Sequence, residues 1–311
     1  MRMALTLDDL PVYPHLALAP GHTPASVTDR TLDALARNEV NGVFAFANSW
    51  PLDVDADMAG IFDAWIAAGH YIGNHTHSHP LFNDTNTDDF VHDITVADEL
   101  LKPWMRTAPL KTFRYPLDLW GNTEEKRSSV RAHLDATGYT STEVTSWFFE
   151  WEWDRAWQWL RQGGKAAEAD GLKDLFIDFC IAQLAYDRAC CRDYFGREIV
   201  GIGLIHTVGF IAEVADRLLA RMREEGVEFV PLELALADPA YARVGSIVSD
   251  RFLVYQQKLA AAEGKEMDAI APEHAGLMKR VFELATPLRP AKRCQLVQNH
   301  RKFAAQAGQI H

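Results

Sequence analysis

Cysteine is scarce in this chain: four in 311 residues, Cys180, Cys190, Cys191 and Cys294, with no CxxC spacing among them. That argues against a cysteine zinc site. Three of the four fall in one apolar, helix-like stretch, where cysteine packs as a small hydrophobe. Long apolar runs are missing too. No window approaches the ~18 unbroken apolar residues that a membrane-spanning helix needs, so no membrane span is expected. Basic charge is in deficit, with 31 Lys+Arg against 43 Asp+Glu and a net charge of −12. Such a surface repels phosphate backbones, which excludes nucleic acid as the expected partner but does not bear on a neutral substrate. Met1-Arg2-Met3-Ala4 runs straight into a strand-like segment without a signal-peptide pattern. The expectation is a cytoplasmic chain, or an extracytoplasmic one whose leader is not part of this sequence. There is no internal repeat and no low-complexity tract.

What is present is the composition of an ordinary globular protein, 48% hydrophobic and 24% charged. The pattern is an alternation of strands and helices. Residues 3–7 read as a short buried strand ending at Asp8-Asp9, 27–37 as a helix and Val43–Ala47 as the next strand. Met58, Ile61, Phe62, Trp65 and Ile66 mark one apolar helix face, which Gly69 closes. His70–Gly73 is a strand, 88–102 a helix, 111–114 a strand, 123–136 a helix and 140–145 a strand. Gly201–His206 is a strand, Phe210 to Met222 a striped helix, and Val227–Leu232 a final strand. This rhythm predicts a parallel sheet or barrel with helices outside. Two stretches break it. Residues 151–195 read as a helical insertion. Beyond Asp238-Pro239 the alternation ceases, and 245–262 and 271–285 read as helices. The expected division is therefore 1–240 for the main domain and 241–311 for a helical C-terminal extension, whose last ~20 residues read as a loosely held tail.

Four motifs carry chemistry. Asn74-His75-Thr76-His77-Ser78-His79-Pro80 holds three histidines in five residues, and neutral imidazole is the commonest side-chain metal ligand. His75 and His79 share a face if the segment is a helical turn, whereas His75 and His77 converge if it is extended. A catalytic ion needs a third ligand and an open position. Asp8-Asp9, at the end of the first strand, offers one carboxylate for the metal and one as base toward a water whose pKa the metal lowers. Arg114, in Phe113-Arg114-Tyr115-Pro116-Leu117, sits at another strand end, where it can pin a carboxylate. His206 closes the apolar run Gly203-Leu204-Ile205, a costly place for an idle polar group.

In this order the motifs resemble those of the polysaccharide deacetylase family, the NodB-homology domains of carbohydrate esterase family four. Thr6-Leu7-Asp8-Asp9, Asn74 to Pro80, Arg114-Tyr115-Pro116 and Leu204-Ile205-His206 correspond to its successive motifs over roughly residues 3–240. The resemblance implies a distorted, incomplete (β/α) barrel. It implies Asp8 as base, Asp9, His75 and His79 as metal ligands, His206 as general acid, Arg114 as the group positioning Asp8, and the Leu117 N–H as an oxyanion donor. Tyr115 and Trp151 are the accompanying substrate-side candidates. Zinc suits two histidines and a carboxylate best, with cobalt, nickel and manganese also compatible.

There is one departure. The family's fourth motif places an Asp where this chain has Trp147 in Trp147-Phe148-Phe149-Glu150-Trp151, and that Asp tethers the catalytic histidine. Tryptophan cannot stabilise an imidazolium as a carboxylate does. Either Glu150, Glu152 or Asp154 supplies the tether, or the acid step is weakened. The function expected is metal-dependent removal of acetyl groups from an N- or O-acetylated carbohydrate. Trp120, Phe148, Trp151 and Trp153 are placed either to line a sugar groove or to pack the insertion. Two alternatives stand beside that function: a hydrolase of small acylated amides on the same fold, and a non-catalytic glycan-binding relative.

Overall fold

The computed structural model describes residues 1–242 and 252–289. Its centre is a parallel sheet of eight strands among those residues: β1 (Arg2–Leu10), β2 (Phe44–Ala47), β3 (Tyr71–Asn74), β4 (Thr112–Phe113), β5 (Thr140–Ser141), β6 (Ser146–Trp147), β7 (Gly201–His206) and β8 (Glu228–Phe229). They are ordered β5-β4-β3-β2-β1-β7-β6, with β8 pairing the start of β1. β1 is buried from Met3 to Leu10 and flanked on both sides, as expected of a parallel strand covered on both faces by helices. This curled sheet agrees with the parallel sheet or barrel expected from the alternation and is the incomplete (β/α) barrel that the resemblance implied.

The barrel is incomplete at one place. β5 and β6 are consecutive in the chain but stand at opposite ends of the sheet. The single strand expected over 140–145 is therefore two short strands joined by a bridge. Thr142 N–H donates to the Phe113 carbonyl on one side (2.8 Å), and Thr145 N–H to the Ile202 carbonyl on the other (2.9 Å). The chain cannot continue a strand while it crosses from one edge to the other.

Residues beyond 252 cover that seam. Tyr255 N–H donates to the Val144 carbonyl (2.7 Å) and Gln256 Nε2 to the Thr145 carbonyl (2.9 Å), so bridge carbonyls left without a sheet partner are satisfied. The helix Tyr255–Ala262 begins there, and a second, Ala275–Ala285, lies against the helix Glu150–Gln162. The expected helix over 245–262 falls partly, and the expected tail wholly, outside the described residues. The stretch 151–195 is taken up by the helices Glu150–Gln162 and Ala166–Phe195. No helix of the described residues is long and apolar enough to cross a membrane.

Close approach inside the barrel fixes one glycine. A Cβ on Gly73 would lie 2.7 Å from Thr112 Oγ1 and 2.8 Å from the Phe46 ring. That ring in turn lies 4.1 Å beneath the Arg114 guanidinium.

His70 immediately precedes β3, with its ring buried against Trp65. Its Nδ1 accepts the Val43 N–H at 3.2 Å, which requires a neutral ring. Burial pulls its pKa down to about 4. The unfolded chain, with histidine near ~6.5, binds the extra proton first, so this contribution is complete above ~6.5 and is lost as pH falls toward 4. Denaturant titrations at pH 7 and pH 4.5 should show the parent protein losing about 2–3 kcal/mol more than His70→Gln, whose amide oxygen can still accept from Val43. Equal losses would show that the ring does not resist protonation.

Candidate active site

The C-terminal ends of β1, β3, β4 and β7 deliver the candidate residues to one cavity of about 350 Å³. Successive residues of a strand point to opposite faces, so Asp8 and Asp9 could not both face it from a regular strand. The register between β1 and β2 slips between Asp8 and Leu10, and Asp9 adopts φ 64°. This bulge turns the second carboxylate toward the first, and both line the cavity.

The histidine motif converges by neither of the two geometries weighed from its spacing, a helical turn or an extended segment. Residues 75–81 are irregular, and two left-handed residues, Thr76 (φ 70°) and His79 (φ 57°), fold the loop back on itself. Asn74 Oδ1 accepts the Thr76 N–H (2.7 Å) and Thr76 Oγ1 accepts the His79 N–H (3.1 Å), which hold the turn. His75 and His79 come together, their Nε2 atoms 3.8 and 3.5 Å from Asp9 Oδ1. His77 is turned away, between Ser49 and Asp53. His75 Nδ1 donates to the Arg114 carbonyl at 2.8 Å, which fixes the tautomer and leaves Nε2 for a ligand.

The residues fit a metal. One ligand atom from each of Asp9, His75 and His79 lies within 4.8 Å of the others, and all three side chains are buried. Neither Asp9 oxygen has a hydrogen-bond partner among the described residues. Burial raises the Asp9 carboxyl to about 8 and lowers the His75 ring to about 3. A cation there would supply the partner that the buried carboxylate lacks.

Asp8 is differently held. Arg114 Nη1 donates to its Oδ1 at 2.7 Å and to Thr6 Oγ1 at 2.8 Å, while Arg114 Nε reaches the Thr142 carbonyl at 3.3 Å. Burial raises the Asp8 pKa, and the adjacent guanidinium opposes that. Oδ1 is thus committed to Arg114. Oδ2 faces the ligand cluster, 3.8 Å from His75 Nε2.

His206 is the register partner of Asp8 at the end of β7. Its Nδ1 donates to Glu150 Oε1 at 2.5 Å, and Glu150 is 0% exposed. Of the three acids that could tether this ring, Glu150 does so. Glu152 pairs with Arg155 and Arg289, and Asp154 accepts from the Phe210 N–H and from Gln158. Phe149, left-handed at φ 57°, turns the chain so that Glu150 opens its helix beneath the histidine. Burial alone would lower the His206 pKa, but Glu150, Asp9 and Asp8 together raise it to about 9. Trp147 stands in the cavity wall, where the family's tethering Asp was expected.

Of the substrate-side candidates, Leu117 and Trp151 line the cavity, with Trp151 edge-on to His206 at 5.2 Å. Tyr115 does not. Its ring stacks with Phe82 and Phe90 and faces a separate hollow, because the turn after β4 sends it into the core. Phe148 and Trp153 are core residues, and Trp120 borders that separate hollow. Sequence reasoning missed Tyr13 and His15, which follow β1, and Phe252, Ala269 and Phe282 from the C-terminal residues, all in the cavity wall. Nothing in their spacing signalled this, since only the fold brings them there.

Residues 1–139 match the family model described as polysaccharide deacetylase. No curated protein matches the chain. Among solved structures, a mutant CE4 family pseudoenzyme is similar at 14% identity and a TM-score of 0.53, covering 76% of this chain and 67% of that one. The wild-type pseudoenzyme, from Bacillus anthracis, is similar at 14% identity and a TM-score of 0.51, covering 76% and 65%. A further mutant, described as having restored enzymatic activity, has 15% identity and a TM-score of 0.53, covering 76% and 68%. These likenesses establish the shared fold.

Chelator-treated protein should gain thermal stability on addition of zinc, by about 4 kcal/mol when free metal exceeds its Kd a thousandfold. Asp9→Asn should weaken zinc binding by calorimetry at least tenfold. Unchanged affinity in that variant would remove Asp9 from the ligand set.

Proposed function

We propose that this chain, whose residues 1–139 match the family model described as polysaccharide deacetylase, hydrolyses the acetyl amide or ester of an acetylated carbohydrate with the help of a divalent metal, zinc by the chemistry of its ligand set. One observation carries the proposal. A carboxylate oriented by a buried arginine and a histidine oriented by a buried glutamate border the same Asp9–His75–His79 cluster in one cavity.

Asp9, His75 and His79 would hold the metal, which would supply Lewis acidity toward the acyl carbonyl and a water. Cobalt, nickel and manganese are compatible with the same ligands. Asp8 Oδ2 takes the proton from the attacking water, because Oδ1 is held by Arg114. The Leu117 N–H donates to the carbonyl oxygen as it gains negative charge. The water oxygen bonds to the acyl carbon, the bond from that carbon to the leaving nitrogen or oxygen breaks, and acetate departs. His206 protonates the leaving atom through Nε2, because Glu150 holds Nδ1. A base and an acid, each with its own buried partner, favour catalysis over mere glycan binding.

A second reading has its own support. Away from the ligand cluster, the wall is largely Trp147, Phe149, Trp151, Leu204, Phe252 and Phe282. Its acids are already engaged, Glu152 by Arg155 and Arg289 and Asp118 by Lys258. Sugar hydroxyls would find few partners there, which favours a small acylated amide.

Acetate release from chito-oligosaccharides, acetylated xylan and small aryl acetamides, by protein stripped and reloaded with zinc or cobalt, separates the readings. Metal-dependent release from the glycans supports the first, and release from the amides alone supports the second. Silence on all of them with metal bound would sink both. Asp8→Asn should lower kcat by about 10²–10⁴ with zinc still bound. Glu150→Gln should lower it about 10–100-fold, as expected when a histidine loses its orienting carboxylate.

A further inference from the structure

Lys258 lies on the helix Tyr255–Ala262 and is 2% exposed, an unusual place for an ammonium unless it is paired. Its Nζ is 2.6 Å from Asp118 Oδ2 and 3.1 Å from Glu143 Oε2, and it lies 4.1 Å from the centroid of the Trp120 ring. All three partners belong to the barrel. Glu143 is on the bridge across the seam, and Asp118 follows Leu117 in the turn after β4. Burial raises the pKa of both acids, Glu143 to about 7, while Lys258 opposes the shift. The ammonium is the stronger of the two cationic influences on both acids, Arg114 being the other.

The turn it grips is strained. Leu117 and Asp118 are consecutive non-glycine residues in the left-handed region, at φ 55° and 56°. Such a conformation persists only where surrounding contacts impose it. Within the turn, Asp118 N–H donates to the Tyr115 carbonyl (2.9 Å) and Leu119 N–H to the Pro116 carbonyl (3.2 Å). Both Leu117 and Asp118 line the catalytic cavity. The side-chain anchor of the turn is therefore the Asp118–Lys258 pair, made to a helix that enters the fold more than a hundred residues later.

We infer that Lys258 is a positioning residue: through Asp118 it holds the 116–119 turn so that the Leu117 N–H faces the reacting carbonyl. The C-terminal residues thereby complete the catalytic site rather than only covering the barrel. This rests on the hydrolytic reading above, because the role of Leu117 belongs to that reading. A lysine held between two carboxylates is also a structural lock, so the test must separate positioning from folding.

The experiment uses the full-length, zinc-reloaded protein and whichever acetylated substrate the parent turns over. Lys258→Met keeps an unbranched apolar side chain of similar length beside Trp120 and removes the charge. It should lower kcat 10–100-fold with KM within twofold, and leave zinc affinity and the far-ultraviolet circular dichroism unchanged. Lys258→Arg, which restores a cation, should recover kcat to within tenfold of the parent. Asp118→Asn leaves Lys258 paired with Glu143 and should reproduce the kcat loss, so the question is answered even if Lys258→Met does not fold. Parental kcat in Lys258→Met or in Asp118→Asn would overturn the inference. A parent that releases no acetate from any substrate would instead overturn the hydrolytic reading.

Discussion

The two edges of the sheet do not meet, and much of the site is arranged around that gap. A closed barrel would satisfy the edge groups of β5 and β6 through each other. Here residues 142–145 cross between them, and the carbonyls of the crossing are claimed by groups from elsewhere. Arg114 takes Thr142, Tyr255 takes Val144 and Gln256 takes Thr145. Arg114 is the same residue that grips Asp8, and its own carbonyl accepts the hydrogen bond from His75 Nδ1. The seam and the ligand cluster are thus two ends of one hydrogen-bonded assembly.

Strain is gathered at the same rim. Of the seven non-glycine residues with positive φ among those described, Asp9, Thr76, His79, Leu117, Asp118 and Phe149 lie in or beside the cavity. Each does identifiable geometric work: Asp9 turns a carboxylate inward, Thr76 and His79 fold the histidine loop, Leu117 and Asp118 form the turn after β4, and Phe149 sets Glu150 under His206. Left-handed residues of this kind cost of order 1–2 kcal/mol each, which the packed parallel sheet beneath them must offset.

Much of the arrangement was legible in the sequence, for reasons that differ from residue to residue. Strand–helix alternation signalled the sheet because parallel strands buried on both faces need apolar runs and helical crossovers. Asp8, Asp9, His75, His79, Arg114 and His206 stood out because each is polar at or near the end of an apolar strand. Spacing alone left open which of His77 and His79 would join His75, and only the resemblance pointed to His79, since the answer depends on the backbone at Thr76 and His79. Tyr115 was misplaced for a similar reason, because its direction is set by the turn and not by the motif. Glu150 was one of three candidates until the left-handed Phe149 fixed where its helix begins. Lys258 carried no signal, because its significance lies in carboxylates more than a hundred positions away.

That separation affects how the molecule comes together. The contacts joining the helix Tyr255–Ala262 to the bridge span 111 and 115 positions, for Gln256 with Thr145 and for Lys258 with Glu143. Contacts so distant along the chain bear a large loop-closure entropy and form after local ones. The pairing of β1 with β7 closes a still longer loop, Asp8 standing opposite His206, so the sheet's own closure belongs to the same non-local stage as the seam. The ligand cluster, by contrast, draws only on Asp9, His75 and His79, whereas the turn carrying Leu117 waits for Lys258. A nascent chain would hold its ligand cluster before it holds the geometry for turnover.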